Sequence, residues 1–175
     1  MDSLKFLLYT LGRLGIFIAV NIFAAFSGKV LLPIMSSLFP EKSAISRFLL
    51  NETCCSVVAW VIMLIFLLVL FFDDGKRHAA YDIWNSINIT IVLIFMLMIY
   101  YVPTVFRDSF HAEGKGKIFY STVYFPVYWL QEKFGMKYTS SSALGLGIIL
   151  VLIFITYVMS YKIYMKKHKS LYKTD

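Results

Sequence analysis

Nineteen consecutive residues, Cys54 to Phe72, carry no charged side chain and a single hydroxyl, that of Ser56. A helix rises about 1.5 Å per residue, so this run spans nearly the ~30 Å hydrocarbon core of a bilayer. Three further stretches have similar length and composition. With the first they give candidate spans at about 12–36, 54–72, 87–106 and 143–164. Lipid offers no water to backbone amides, so helices are the economical reading, and none of the four shows the alternation of a barrel strand.

Composition closes off the soluble alternatives. Apolar residues make up 59% of the 175-residue chain and charged ones only 15%, against about 25% charged in an ordinary soluble domain. A small domain has too much surface to hide that excess. A soluble enzyme, a disordered tail and a disulfide-stapled secreted module are therefore excluded as defaults. The sequence predicts an all-α integral membrane protein, a single domain over residues 1–175 with four transmembrane helices.

The basic residue Lys5 is followed by an apolar stretch that contains Arg13 and runs on with no small-residue cleavage pattern, so the first helix is expected to stay in the mature protein. Four crossings put both termini on one side. That side carries nine Lys and Arg against seven on the other, and the basic tail at 165–175 follows the last span directly. Charges close to a span weigh most, which places both ends in the cytoplasm. Thirteen Lys against four Arg lean towards a bacterial plasma membrane.

The most distinctive stretch is 107–142, expected to be an extracellular aromatic loop. Its rings include Tyr124, Tyr128, Trp129 and Phe134. Pro126 can open a short helix, Lys133 suits its last turn and Gly135 a left-handed cap. An interfacial or re-entrant segment over 118–134 follows. Loops of this length usually have a job, and Tyr124, Tyr128, Trp129 and Phe134 are the candidate partner surface, with Tyr128 and Trp129 the residue types that dominate contacts.

Polar residues inside the spans are the other candidates. Arg13, Asn21 and Lys29 are spaced by eight residues, about 80° of helical turn each, so no single polar stripe forms. Arg13 and Lys29 are read as lying near opposite interfaces with stems snorkelling to water. Asn21 sits mid-span and should bond another helix. Asn85 and Asn88 share a face where the third helix enters. Asp73, Asp74, Lys76 and Arg77 are read as a solvated cytoplasmic turn with Gly75 at its sharp point. Small-residue pairs Ala24–Gly28, Ser141–Gly145 and Ala143–Gly147 mark places where backbones can approach closely.

No catalytic signature emerges. There is no phosphate loop, serine elbow or zinc-protease motif, the adjacent Cys54 and Cys55 lack metal-ligand spacing, and the three histidines are scattered. No cofactor, metal or nucleic-acid partner is expected. The functional expectation is a non-catalytic accessory or interaction subunit of a larger membrane complex, in contact with the lipid bilayer and with other subunits or its own copies. A small oligomeric transporter or channel is the alternative, and a lipid-modifying membrane enzyme comes third.

Overall fold

The computed structural model describes residues 3–81, 86–106 and 115–171. Asn85, residues 107–114 of the aromatic stretch and the last four residues of the tail lie outside them. Among the described residues all regular structure is helical. Four helices are long and apolar enough to cross a membrane: Leu4–Leu38, Glu52–Ala80, Ile87–Val105 and Tyr138–Lys167.

Helix α1 (Ser3–Phe26) continues through a five-residue π turn (Ser27–Leu31), one α turn (Leu32–Met35) and a 3₁₀ turn (Ser36–Leu38). Pro33 fits at the first positions of that α turn, where its missing N–H costs least. The short α2 (Ala44–Leu50) begins where Ser43 Oγ accepts from the Ser46 N–H at 3.0 Å. α3 (Glu52–Ala80) begins the same way, with Asn51 Oδ1 accepting from Cys54 N–H at 3.0 Å. Each cap satisfies an amide that the first turn would leave without a partner.

α3 corrects the expectation for Asp73, Asp74, Lys76 and Arg77. These residues are not a turn; they lie inside α3, which ends only at Ala80. Gly75 is buried there, and a Cβ on it would sit 2.6 Å from the Tyr157 carbonyl and 2.9 Å from Ser160 Cβ. The glycine is a contact point between helices, and that contact keeps the segment helical.

α4 (Ser86–Val105) carries Pro103 in its last turn. α5 (Lys115–Val123), a 3₁₀ turn (Phe125–Val127) and α6 (Tyr128–Phe134) follow. Gly135 then takes the left-handed conformation, φ 61°, which most side chains avoid, and releases the chain into α7 (Tyr138–Leu171). The stretch expected as a loop is therefore helical over most of its described length, and the basic residues Lys166 and Lys167 sit on the last turns of α7.

The long helices form a ring. α3 packs chiefly on α1 and α7, α4 packs on the same two, and the diagonal pairs touch little. Phe17, Met63, Leu67, Phe71, Ile89, Val92, Met96, Leu146 and Ile153 fill the middle and are fully buried. The outward faces are apolar on every long helix: Leu8, Val69, Ile94 and Val151 are among many large side chains left more than half exposed. Apolar surface on that scale marks contact with a membrane or another protein.

Candidate functional site

At one end of the ring, α5, the 3₁₀ turn and α6 fold back against α1, α3 and α7. Glycine makes the fit possible. A Cβ on Gly28 would lie 2.7 Å from both the Cys55 carbonyl and a Phe125 ring carbon, and one on Gly145 would lie 2.5 Å from Val127. Ser56, fully buried in α3, pins the inserted segment twice: its hydroxyl donates to the Phe125 carbonyl at 2.7 Å and accepts from the Trp129 N–H at 2.9 Å. Trp60 Nε1 donates to the Gly145 carbonyl at 2.9 Å, and its ring meets Trp129 edge-on.

Tyrosines tie the same segment to α4. Tyr120 donates to the Pro103 carbonyl, and Tyr124 donates to the Tyr100 carbonyl at 2.8 Å. The first supplies a donor to a carbonyl in the last turn of α4, where helical partners run out. The Tyr120 and Tyr124 rings stack at 5.6 Å, and Tyr138 of α7 meets both edge-on. Burial, followed by the neighbouring Tyr120, pushes the Tyr124 phenol well above its usual range, so it remains a neutral donor.

This packing leaves a cavity of about 170 Å³ lined by Lys29, Glu52, Tyr120, Ser121, Tyr124, Phe125, Tyr128, Gln131 and Tyr138. Lys29 belongs to the π turn, and its ammonium donates to Ser121 Oγ at 2.9 Å and to the Ser121 carbonyl at 3.1 Å. Glu52 makes no hydrogen bond or ion pair with a described side chain. Gln131 Nε2 is buried without a partner among the described residues. Phe125 and Tyr128 are stacked with their rings 5° from parallel. Tyr124 also lines a second, mostly apolar recess of about 310 Å³ between α1 and α4, bounded by Phe17, Asn21, Tyr100 and Phe119.

The opposite end holds a different arrangement. Arg13 of α1 clamps Asp74 of α3 with two N–H groups, the Nε–Oδ2 bond measuring 2.7 Å. Tyr9 donates to the same Oδ2 at 2.7 Å, and the guanidinium lies 5.0 Å from the Tyr9 ring centroid. Asp74 is 2% exposed and Arg13 17%. Next to them His78 Nδ1 lies 2.9 Å from the Tyr157 hydroxyl, and Ser160 Oγ donates to the Phe72 carbonyl at 2.7 Å. Asp74 thus receives three donors and the pair is hydrogen-bonded on both sides, the condition under which a buried ion pair is tolerated.

The structure therefore separates the candidates read from sequence. Arg13 does not snorkel; it turns inward onto Asp74, because a partner carboxylate within the bundle replaces water. Asp73 and Arg77 form an exposed i,i+4 pair at 2.7 Å, and Lys76 lies over the Tyr164 ring at 5.4 Å. Asn21 is buried beside Tyr100, donates weakly to Met63 Sδ at 3.6 Å and leaves Oδ1 without a well-formed hydrogen bond among the described residues. Asn88 is half-buried near the start of α4. Of the aromatic candidates, Tyr124 is fully buried, Tyr128 and Trp129 are half-buried, and Phe134 stays exposed. Tyr124 is thus committed to internal packing, while Tyr128 and Trp129 keep part of their surface and Phe134 most of its own. Tyr9, Tyr157, Ser56, Glu52 and Gln131 escaped the sequence reading: each sits in an unremarkable helical context and acquires its role only from distant neighbours. The chain matches no family model, no curated protein and no solved structure.

Proposed function

We propose that the chain is an integral membrane protein crossing a plasma membrane four times, with both termini cytoplasmic, that serves without catalysis as an accessory or interaction subunit. The supporting observation is the outward apolar surface of all four long helices, set against polar groups gathered inside the two ends of the ring. The orientation draws on the basic residues at the Arg13–Asp74 end, where Lys76, Arg77, Lys166 and Lys167 lie close to the spans.

Burial of the aromatic segment shifts the expected partner contact. Tyr124 is unavailable, so the contact falls to exposed apolar helix faces and to the rim at Phe134. Copurification in a mild detergent tests this: a stoichiometric membrane partner supports the reading, and a lone homo-oligomer that carries solute flux in liposomes sinks it. Cysteine labelling tests the topology separately. With Cys54 and Cys55 replaced by alanine, a reagent added to intact cells should modify Lys42→Cys and spare Lys167→Cys; modification of both overturns the four-span arrangement.

A transporter reading has one observation in its favour, the polar groups at both ends of a single bundle. Between them lies a packed layer of Met63, Leu67, Phe71, Val92 and Ile149, each at most 1% exposed. A pathway would have to part that layer. Solute flux in liposomes carrying the purified chain discriminates the two readings.

A further inference from the structure

Lys29 and Glu52 carry opposite charges on the wall of one small cavity and do not pair with each other. We propose that this cavity binds a small zwitterion, with its phosphate or carboxylate at Lys29 and its ammonium at Glu52. The inference stands apart from the accessory role and from the topology.

Direct helix contact at Gly28 brings the two walls together, with Lys29 next to it in the π turn and Glu52 one turn before Cys55 on α3. An ammonium has three N–H donors; Lys29 gives two bonds to Ser121 and retains one. Gln131 Nε2, buried and without a partner, supplies another donor to the same space. A buried donor left unmet is costly, so an oxygen offered to Gln131 Nε2 is favoured, and the exposed Lys29 ammonium on the same wall favours an oxygen that is anionic. The complementary half is Glu52, with the Phe125 and Tyr128 rings on the same lining, and aromatic rings near an ammonium group add attraction. A lone anion would meet the Glu52 carboxylate, and a lone cation would meet Lys29. A molecule with both charges satisfies each wall. The apolar recess that shares Tyr124 offers room for a chain, so the zwitterion can be a free solute or the headgroup of a lipid.

Calorimetry on the full chain in detergent tests the site, with phosphoethanolamine, ethylamine and inorganic phosphate as soluble probes and phosphatidylethanolamine added to the micelles as the lipid probe. Saturable binding of phosphoethanolamine at least tenfold tighter than of phosphate or ethylamine is expected. Lys29→Met and Glu52→Gln should each weaken it at least tenfold, and Lys29→Arg should retain most of it. Binding of the lipid alone, with the same dependence on both residues, keeps the site and identifies its occupant as a headgroup. Because Lys29 also holds Ser121, Glu52→Gln is the deciding variant: its side chain has no described partner to lose. Unaltered binding in Glu52→Gln overturns the proposal. So does equal affinity for phosphate and phosphoethanolamine, or failure of both phosphoethanolamine and the lipid to bind.

Discussion

The two ends of the bundle handle buried polarity in opposite ways. At the Arg13–Asp74 end every charge that leaves water meets its complement: the carboxylate takes donors from Arg13 and Tyr9, and His78 meets Tyr157. Among the described residues, the accounting is less complete at the aromatic end, where Gln131 Nε2, Trp129 Nε1 and the Ser142 hydroxyl are buried without partners, than at the other, where the Thr10 hydroxyl alone is left so. One end is a closed network that fastens α1 to α3. The other is an open one, held in shape by backbone carbonyls and hydroxyls so that side chains remain available.

The largest effect is expected at the closed end. Asp74→Ala leaves the Arg13 guanidinium half-buried and unpaired, at a cost of about 3–5 kcal/mol in unfolding experiments in detergent. Arg13→Met combined with Asp74→Leu should recover most of that loss. A double variant as unstable as Asp74→Ala would mean that the pair does more than neutralise itself. Ser56→Ala removes two hydrogen bonds at the open end and orphans the Phe125 carbonyl and the Trp129 amide. The expected loss is about 2 kcal/mol, and hydrogen exchange should speed up over α5–α6 while α1 stays protected. Uniform acceleration would show that α5–α6 is not a separable unit.

Glycine substitutions sharpen the comparison further. Gly75→Ala drives a methyl group into the Tyr157 carbonyl and should cost about 1–2 kcal/mol, whereas Gly147, with nothing within 4 Å of its would-be Cβ, should gain up to about 1 kcal/mol from the same change. Equal effects on the melting temperature would contradict the close approach of α3 and α7. The smallest effect belongs to Trp129→Phe, expected below about 1 kcal/mol because its Nε1 has no bond to lose and an aromatic edge still faces Trp60. A larger loss would reveal a partner for that nitrogen.

What the sequence made legible follows the range of the forces involved. Cys54–Phe72 announces its helix by composition alone, and the sequence from Pro126 to Gly135 marks a short helix with its own start and stop. The closed end was hidden because Asp73, Asp74 and Gly75 carry strong local turn signals. These are overruled by Tyr157 and Ser160, which approach Gly75 from α7, and by Arg13, which arrives from α1. The open end was half legible. Its aromatic content flagged it, but exposure was inferred where the rings in fact turn inward onto Ser56, Gly145 and the end of α4. Lys29 was placed by counting eight residues from Asn21, a rule that assumes uniform helix.

That assumption fails at Ser27–Leu31, where the helix widens. A π turn holds one residue more than the α-helical path needs, so the first span contains a spare residue beside the exposed Lys29. Deleting Val30 should let the helix close up while both flanks keep their facing, and the chain would still thread the ring. The cost would fall on the turn itself, where Gly28 packs against Cys55 and Phe125 and Lys29 reaches Ser121. A chain that still folds without Val30 but no longer holds Ser121 at Lys29 would make the bulge a shim, one that the scaffold can lose and the cavity cannot.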